Sequence, residues 1–100
     1  KIKNKLDLKN FTIDKVIEKP NLKIAPSNNA VIGRYILPKK IFEKIKSLKP
    51  VNGSEIHITD AIQELINNGE EFIGHKFSGI YLDCGTMKGY INSSIKISKK

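Results

Sequence analysis

The apolar residues of this chain occur in short segments that are divided by proline, glycine and asparagine. Segments of this length form single strands or helices, and none approaches the roughly 20 residues that span a bilayer. The hydrophobic fraction of 39% and the charged fraction of 28% are typical of globular proteins. The 100 residues are enough for one domain with a core. The sequence therefore predicts a small domain built from short elements.

The N-terminal residues and the cysteine content bear on the cellular compartment. Residues 1–10, KIKNKLDLKN, have neither the apolar centre nor the cleavage site of a signal peptide. Cys84 is the only cysteine in the sequence, so an intrachain disulfide is impossible. We expect a cytoplasmic protein without a membrane anchor, in which Cys84 is a small buried residue. His57 and His75 have no second ligand at metal-binding spacing, and we expect ordinary structural roles for both.

The net charge of +8 raises the possibility of nucleic-acid binding, because clustered basic residues bind phosphate backbones. The basic residues are spread from Lys1 to Lys100, and the aromatic fraction of 7% leaves few rings to stack on bases. The frequent Lys, Ile and Asn residues are also explained by a low-GC coding bias. We therefore expect no specific nucleic-acid partner.

The first half of the chain predicts two strands and a helix. After a polar lead-in over residues 1–10, residues 11–19 alternate as a strand with one apolar face, which Pro20 ends. Residues 30–37, AVIGRYIL, predict a strand buried on both faces, and Gly33 within it is typical of a close backbone approach. Residues 38–50 predict a helix with a buried stripe that consists of Ile41, Ile45 and Leu48.

The second half predicts a loop, two helices and a hairpin. After a loop that starts at Val51, residues 59–69 predict a second helix, with Thr59 or Asp60 as the N-cap, Gly69 as the terminator, and an apolar stripe that consists of Ala61, Ile62, Leu65 and Ile66. Two strands on either side of a turn at residues 78–79 follow. Residues 86–100 predict a final helix, weakened by Gly89. The order of elements predicts an α/β fold with a mixed sheet and packed helices.

Four segments, in this order and spacing, resemble one enzyme family. They are VIEKP (16–20), APSNNAVIGRYIL (25–37), KPVNGSEIHITDAI (49–62) and YLDCGTMKGY (81–90). They are similar to the C-terminal part of bacterial UTP–glucose-1-phosphate uridylyltransferases, also called UDP-glucose pyrophosphorylases, within the sugar-phosphate nucleotidyltransferases. The resemblance covers residues 11–100 and implies part of a Rossmann-like nucleotide-diphospho-sugar transferase fold. We treat residues 1–100 as a single segment of one such domain.

The resemblance implies a reaction of UTP with glucose 1-phosphate that gives UDP-glucose and pyrophosphate. By matching position, Glu18 would accept hydrogen bonds from glucose hydroxyls, and Lys19 would hold the sugar phosphate as the catalytic cation. The segment with Ala30, Val31 and Gly33 would line the sugar. Asp83 would be one of two carboxylates that bind Mg²⁺, the implied cofactor.

Each of these residues also has a structural interpretation. Glu18 and Lys19 could be solvated charges at the end of a strand, and adjacent strand residues reach one ligand only if the chain bends near Pro20. Asp60 lies in the third matching segment, but helix capping accounts for it. The alternative function from a different class is a small basic α/β binding module without catalysis.

The matching region lacks the glycine-rich nucleotide-binding loop and the first metal-binding aspartate of the family. Three accounts are open at this point: a piece of a longer enzyme, a split enzyme whose other half is a second chain, and a degenerate remnant. We expect the N-terminal half, or further copies of this chain, as the protein partner.

Overall fold

The computed structural model describes residues 1–50 and 53–100. The described residues form three strands and three helices: β1 (Ile2–Lys5), β2 (Asn10–Ile13), α1 (Ile41–Ser47), α2 (Ile58–Asn67), β3 (Ile73–His75) and α3 (Met87–Ser98). This arrangement confirms the predicted α/β class. Val51, where the predicted central loop starts, lies outside the described residues.

The strands form one sheet in the order β1-β2-β3, and both pairings are antiparallel, so the predicted mixed sheet is not found among the described residues. The polar lead-in of residues 1–10 contains β1, a strand that the sequence did not predict. The chain reverses after β1 because the Asp7 carboxylate accepts hydrogen bonds from the backbone N–H groups of Lys9 and Asn10, each at 2.8 Å. The buried Thr12 hydroxyl then accepts from the N–H of Asn4 at 3.0 Å, where the register of the pair shifts.

β2 is shorter than the predicted strand of residues 11–19 and ends at Ile13. The N–H of Asp14 still donates to the carbonyl of Lys1, at 2.8 Å. The N–H of Val16 donates instead to the side chain of Gln63 in α2, also at 2.8 Å. The chain therefore leaves the sheet after Asp14 because a helix side chain replaces the neighbouring strand as its hydrogen-bond partner.

Two other predicted strands were wrong. Residues 30–37 are not a strand, and Ile36 is fully exposed at 102% relative accessibility. The predicted hairpin around residues 78–79 is also not formed, since β3 pairs with β2 and residues 80–85 have no strand partner among the described residues. A strand requires a neighbour for its backbone hydrogen bonds, and β-branched composition alone does not supply one.

The core lies between α1 and α2. Its buried residues are Ile41, Ala61, Ile62 and Leu65. Partly buried side chains pack around them: Val16, Leu37, Ile45, Leu48, Ile58, Ile66 and Phe72. The predicted stripes of both helices are confirmed, and α2 is followed by Gly69 at φ +92°, a left-handed conformation that suits glycine.

The predicted N-cap of α2 was wrong. The helix begins at Ile58, and the residue before it, His57, makes no side-chain capping bond. Thr59 is therefore inside the first turn, where its side chain is available for a partner outside the helix. Asp60 occupies the first turn as an exposed acidic residue, which is favourable near a helix N-terminus.

Helix α3 is confirmed, with Thr86 as its N-cap. The Thr86 hydroxyl accepts a hydrogen bond from the N–H of Gly89 at 3.0 Å. Large apolar side chains are exposed along the helix: Met87, Tyr90, Ile91, Ile95 and Ile97. None of the helices in the described part of the chain has the length and apolar character needed to cross a membrane.

Candidate functional site

The chain bends at the EKP segment. Lys19 has φ +37°, in the left-handed region that non-glycine residues seldom adopt, and the bend covers Glu18 and Lys19. The alternation of an extended strand is therefore broken between these two residues. Glu18 and Lys19 can reach one ligand only if the chain bends near Pro20, and the structure has a bend at this place. Backbone strain of this kind is common at ligand sites and costs on the order of 1–3 kcal/mol.

Helix α2 holds the carboxylate of Glu18. The Thr59 hydroxyl donates to Glu18 Oε2 at 3.2 Å, and Thr59 itself is buried with 6% of its surface exposed. Glu18 is half-buried, whereas Lys19 is exposed. The Glu18 carboxylate is thus fixed on one oxygen by a core-embedded hydroxyl, and the adjacent Lys19 ammonium extends into solvent.

The segment of residues 30–37 passes close to this carboxylate. Burial of the Tyr35 phenol raises its pKa, and the negative charge of Glu18 raises that pKa further. Ala30 and Val31 are exposed. Gly33 has φ +75°, and no atom of the described chain lies within 4 Å of the place where its Cβ would be. Gly33 therefore serves a left-handed turn and leaves open space beside the segment.

Asp83 lies exposed in the loop before α3. Its Oδ1 accepts a hydrogen bond from the N–H of Gly85 at 2.9 Å, an Asx turn that orients the carboxylate. Its backbone carbonyl accepts from the buried Ser93 hydroxyl at 3.4 Å. A Cβ on Gly89 would lie 2.4 Å from that carbonyl oxygen. Glycine has a low helix propensity, but the absence of a side chain at Gly89 lets α3 pack directly against Asp83.

We expect Gly89→Ala to destabilise the Asp83 loop, although alanine favours helices by about 1 kcal/mol over glycine. The new Cβ meets a backbone oxygen, so the loop or the helix must shift. Hydrogen exchange should show faster exchange of the Gly85 amide in this variant. Asn92→Ala, an exposed position on α3, is the matched control and should leave that amide unchanged. Equal exchange rates in both variants would show that the close contact is unimportant.

The structure shows an electrostatic link between two segments of the predicted site. The charge of Glu18 acts on Tyr35, which belongs to the segment that also contains Ala30, Val31 and Gly33. Within the described ranges, no hydrogen bond or ion pair joins Asp83 to Glu18 or Lys19. Sequence reasoning missed two contributors, Thr59 and Gln63. Their signal was the presence of polar side chains directly beside the apolar stripe of α2.

Asp83 fits a hard cation as one ligand. In residues 1–50 and 53–100, no group of three or more His, Cys, Asp or Glu side chains is arranged to hold a metal ion. Asp83 Oδ2 has no hydrogen bond within the same residues, so one carboxylate oxygen is oriented by the turn and the other is open to solvent. Mg²⁺ typically takes one or two carboxylates and completes its shell with phosphate and water oxygens. The neighbouring Cys84 is exposed, so its predicted burial was wrong.

The sequence of residues 2–100 matches the family model of the nucleotidyl transferases. The chain belongs to the nucleotidyl transferase family. This match favours the enzyme interpretation over a basic binding module.

Relatives of this nucleotidyl transferase chain include a UTP–glucose-1-phosphate uridylyltransferase of Pseudomonas aeruginosa, 43% identical over 84 residues, which are 84% of the chain and 30% of the relative. A UTP–glucose-1-phosphate uridylyltransferase 1 of Staphylococcus saprophyticus is 36% identical over 91 residues, which are 90% of the chain and 31% of the relative. The chain thus spans about a third of the length of these curated relatives.

Two solved structures are also similar to this chain. A UDP-glucose pyrophosphorylase complexed with UDP-glucose superimposes with a TM-score of 0.87 at 41% identity, covering 98% of this chain and 37% of that one. An apo UDP-glucose pyrophosphorylase gives a TM-score of 0.85 at 41% identity, covering 98% and 36%. The fold of this nucleotidyl transferase chain is therefore that of the corresponding part of these structures, which confirms the predicted fold.

Proposed function

We propose that this chain is the C-terminal part of a bacterial UTP–glucose-1-phosphate uridylyltransferase and supplies the sugar-phosphate side of its site. The relatives and solved structures that it resembles carry that activity in their names. The complete enzyme would combine this part with an N-terminal half that binds UTP. We propose a cytoplasmic location for it.

The single observation that carries this proposal is the bend at Lys19, together with the hydrogen bond that fixes Glu18. The bend breaks the alternation that would send two adjacent strand residues to opposite faces, so an acceptor-only carboxylate and a compact cation can act on one ligand where the chain meets α2. Glucose 1-phosphate presents hydroxyl donors and a phosphate dianion. A carboxylate beside an ammonium is complementary to that pair of groups.

Each residue of the site has a separate task. Glu18 accepts hydrogen bonds from glucose hydroxyls, and Lys19 neutralises the sugar phosphate. The segment with Ala30, Val31 and Gly33 lines the sugar, and its open space at Gly33 lets the sugar approach the backbone. These contacts position one phosphate oxygen for attack on the α-phosphorus of UTP.

In the reaction, the attacking oxygen forms a new P–O bond, and the bond from the α-phosphorus to the bridging oxygen breaks. Pyrophosphate leaves with that electron pair, so no proton transfer or covalent enzyme intermediate is required. Such transfers depend mainly on positioning and charge neutralisation. Asp83 would hold Mg²⁺, which neutralises phosphate charge when bound.

The proposal is tested with the complete protein that contains this chain. We expect it to release pyrophosphate from UTP only when glucose 1-phosphate is present. Lys19→Met should raise the KM for glucose 1-phosphate by about tenfold or more, since a charged hydrogen bond contributes roughly 1.5–3 kcal/mol. Lys23→Met, an exposed lysine four residues further along, is the control. A complete protein without pyrophosphate release, or equal KM values for the two variants, would contradict the proposal.

A further inference from the structure

The side chain of Gln63 joins α2 to the segment that leads out of the sheet toward Glu18. Its Oε1 accepts from the N–H of Val16 at 2.8 Å, and its Nε2 donates to the carbonyl of Asp14 at 3.4 Å. The same Nε2 donates to Asn67 Oδ1, one helical turn further on, at 2.9 Å. The amide therefore meets backbone groups on both sides of Lys15 and is itself held by its own helix.

Gln63 takes the place of a neighbouring strand. β2 has ended at Ile13, Asp14 and Lys15 still bond to Lys1, and from Val16 onward the backbone has left its sheet partners. A glutamine amide offers both a donor and an acceptor, as a backbone peptide group does, so it can satisfy an N–H and a C=O of one segment. The Val16 side chain also packs against the core that α2 contributes to. Contacts with α2 therefore fix the backbone that leads to Glu18 and Lys19.

Gln63 and Thr59 are four residues apart, so they lie on the same face of the helix. Thr59 holds the carboxylate of Glu18, and Gln63 holds the backbone two residues before it. From this geometry we infer that Gln63 is a positioning residue for glucose 1-phosphate: it sets the backbone from which Glu18 and Lys19 reach the sugar phosphate, without touching the ligand itself. The inference rests on the proposed function.

The test uses Gln63→Met in the complete protein, which keeps the length of the side chain and removes all three of its hydrogen bonds. We expect the KM for glucose 1-phosphate to rise by about tenfold, while the KM for UTP changes by less than about twofold, because only one of the two binding regions is displaced. The Val16 amide should exchange with solvent faster, since its acceptor is lost. Glu64→Met, on the exposed side of the same helix, is the matched control and should match the parent protein in all three measurements.

Gln63→Glu adds a second variant that keeps an acceptor for the Val16 N–H and loses the donor to Asp14. We expect its KM for glucose 1-phosphate to lie between those of the parent and Gln63→Met. If both Gln63 variants lower the melting temperature but leave the KM for glucose 1-phosphate unchanged, Gln63 is only structural and the inference is overturned. A parent protein without uridylyl transfer overturns the proposed function and this inference together, whereas an active parent with insensitive variants overturns the inference alone.

Discussion

Asp83→Asn should reduce kcat of the complete enzyme by a factor on the order of ten to a thousand, the range seen when one preorganised charge-stabilising group is removed. The substitution keeps the size of the side chain and the acceptor for the Gly85 N–H. It removes the negative charge that we assign to Mg²⁺. Steady-state kinetics at several magnesium concentrations would show the loss, and the half-saturating magnesium concentration should rise.

Thermal unfolding supplies the control for this result. Asp83 is exposed, and its Asx turn survives in asparagine, so the melting temperature should change little. Asp60→Asn is the matched variant, since it is also an exposed aspartate, near the N-terminus of a helix, and we assign it no ligand. A variant at Asp83 that keeps its activity and magnesium dependence but melts earlier would make this carboxylate structural.

The 100-residue chain by itself should show no UDP-glucose synthesis. The residues that we assign to the sugar phosphate are present, but no element of the described chain is assigned to UTP, and phosphoryl transfer depends on holding both reactants in line. The expected loss is complete. Pyrophosphate release from the isolated chain, above that of a heat-treated sample, would contradict the assignment of UTP binding to the remainder of the enzyme.

The same isolated chain should also self-associate or bind the remainder of the enzyme. Its exposed apolar residues include Ile36 and five large side chains of α3, and exposed apolar surface favours association. Sedimentation at several concentrations measures this directly. A monomer at every concentration, with no binding of an apolar dye, would show that these side chains tolerate solvent.

The helices could be predicted from the sequence because their signals are local. The apolar stripes of α1 and α2 and the glycine after α2 lie within a few residues of one another, and each was confirmed. The strands could not be predicted in this way, because their pairing partners lie far away along the chain. β2 pairs with β3 through Phe11 and Gly74, and the ring of Phe11 occupies the space beside that glycine. No pattern within residues 10–13 indicates that partner.

The same difference between local signals and distant partners applies to the candidate site. Motif resemblance proposes Glu18, Lys19 and Asp83 as site residues, but the contacts that orient them were not predictable from the sequence. Thr59 contacts a residue 41 positions away, and Gln63 contacts one 47 positions away. Both looked like ordinary helix residues, because helical periodicity describes which side chains face the core and not which distant backbone they meet.

The pairing of β2 with β3 separates the residues of the proposed site into two groups, one between these strands in the sequence and one after β3. Residues 14–72 form the long connection between the two strands. Its ends lie side by side because Asn10 pairs with His75 and Thr12 pairs with Ile73. Glu18, Lys19 and the sugar-lining segment all lie inside this closed loop, whereas Asp83 lies beyond it. The entropic cost of closing a loop rises with its length, so α1 and α2, which are close along the chain, can pack before β2 and β3 meet. Residues 16–18 would then dock on a helix pair that has already formed, through contacts 41 and 47 positions apart, whereas Asp83 would be placed against α3 independently of this loop.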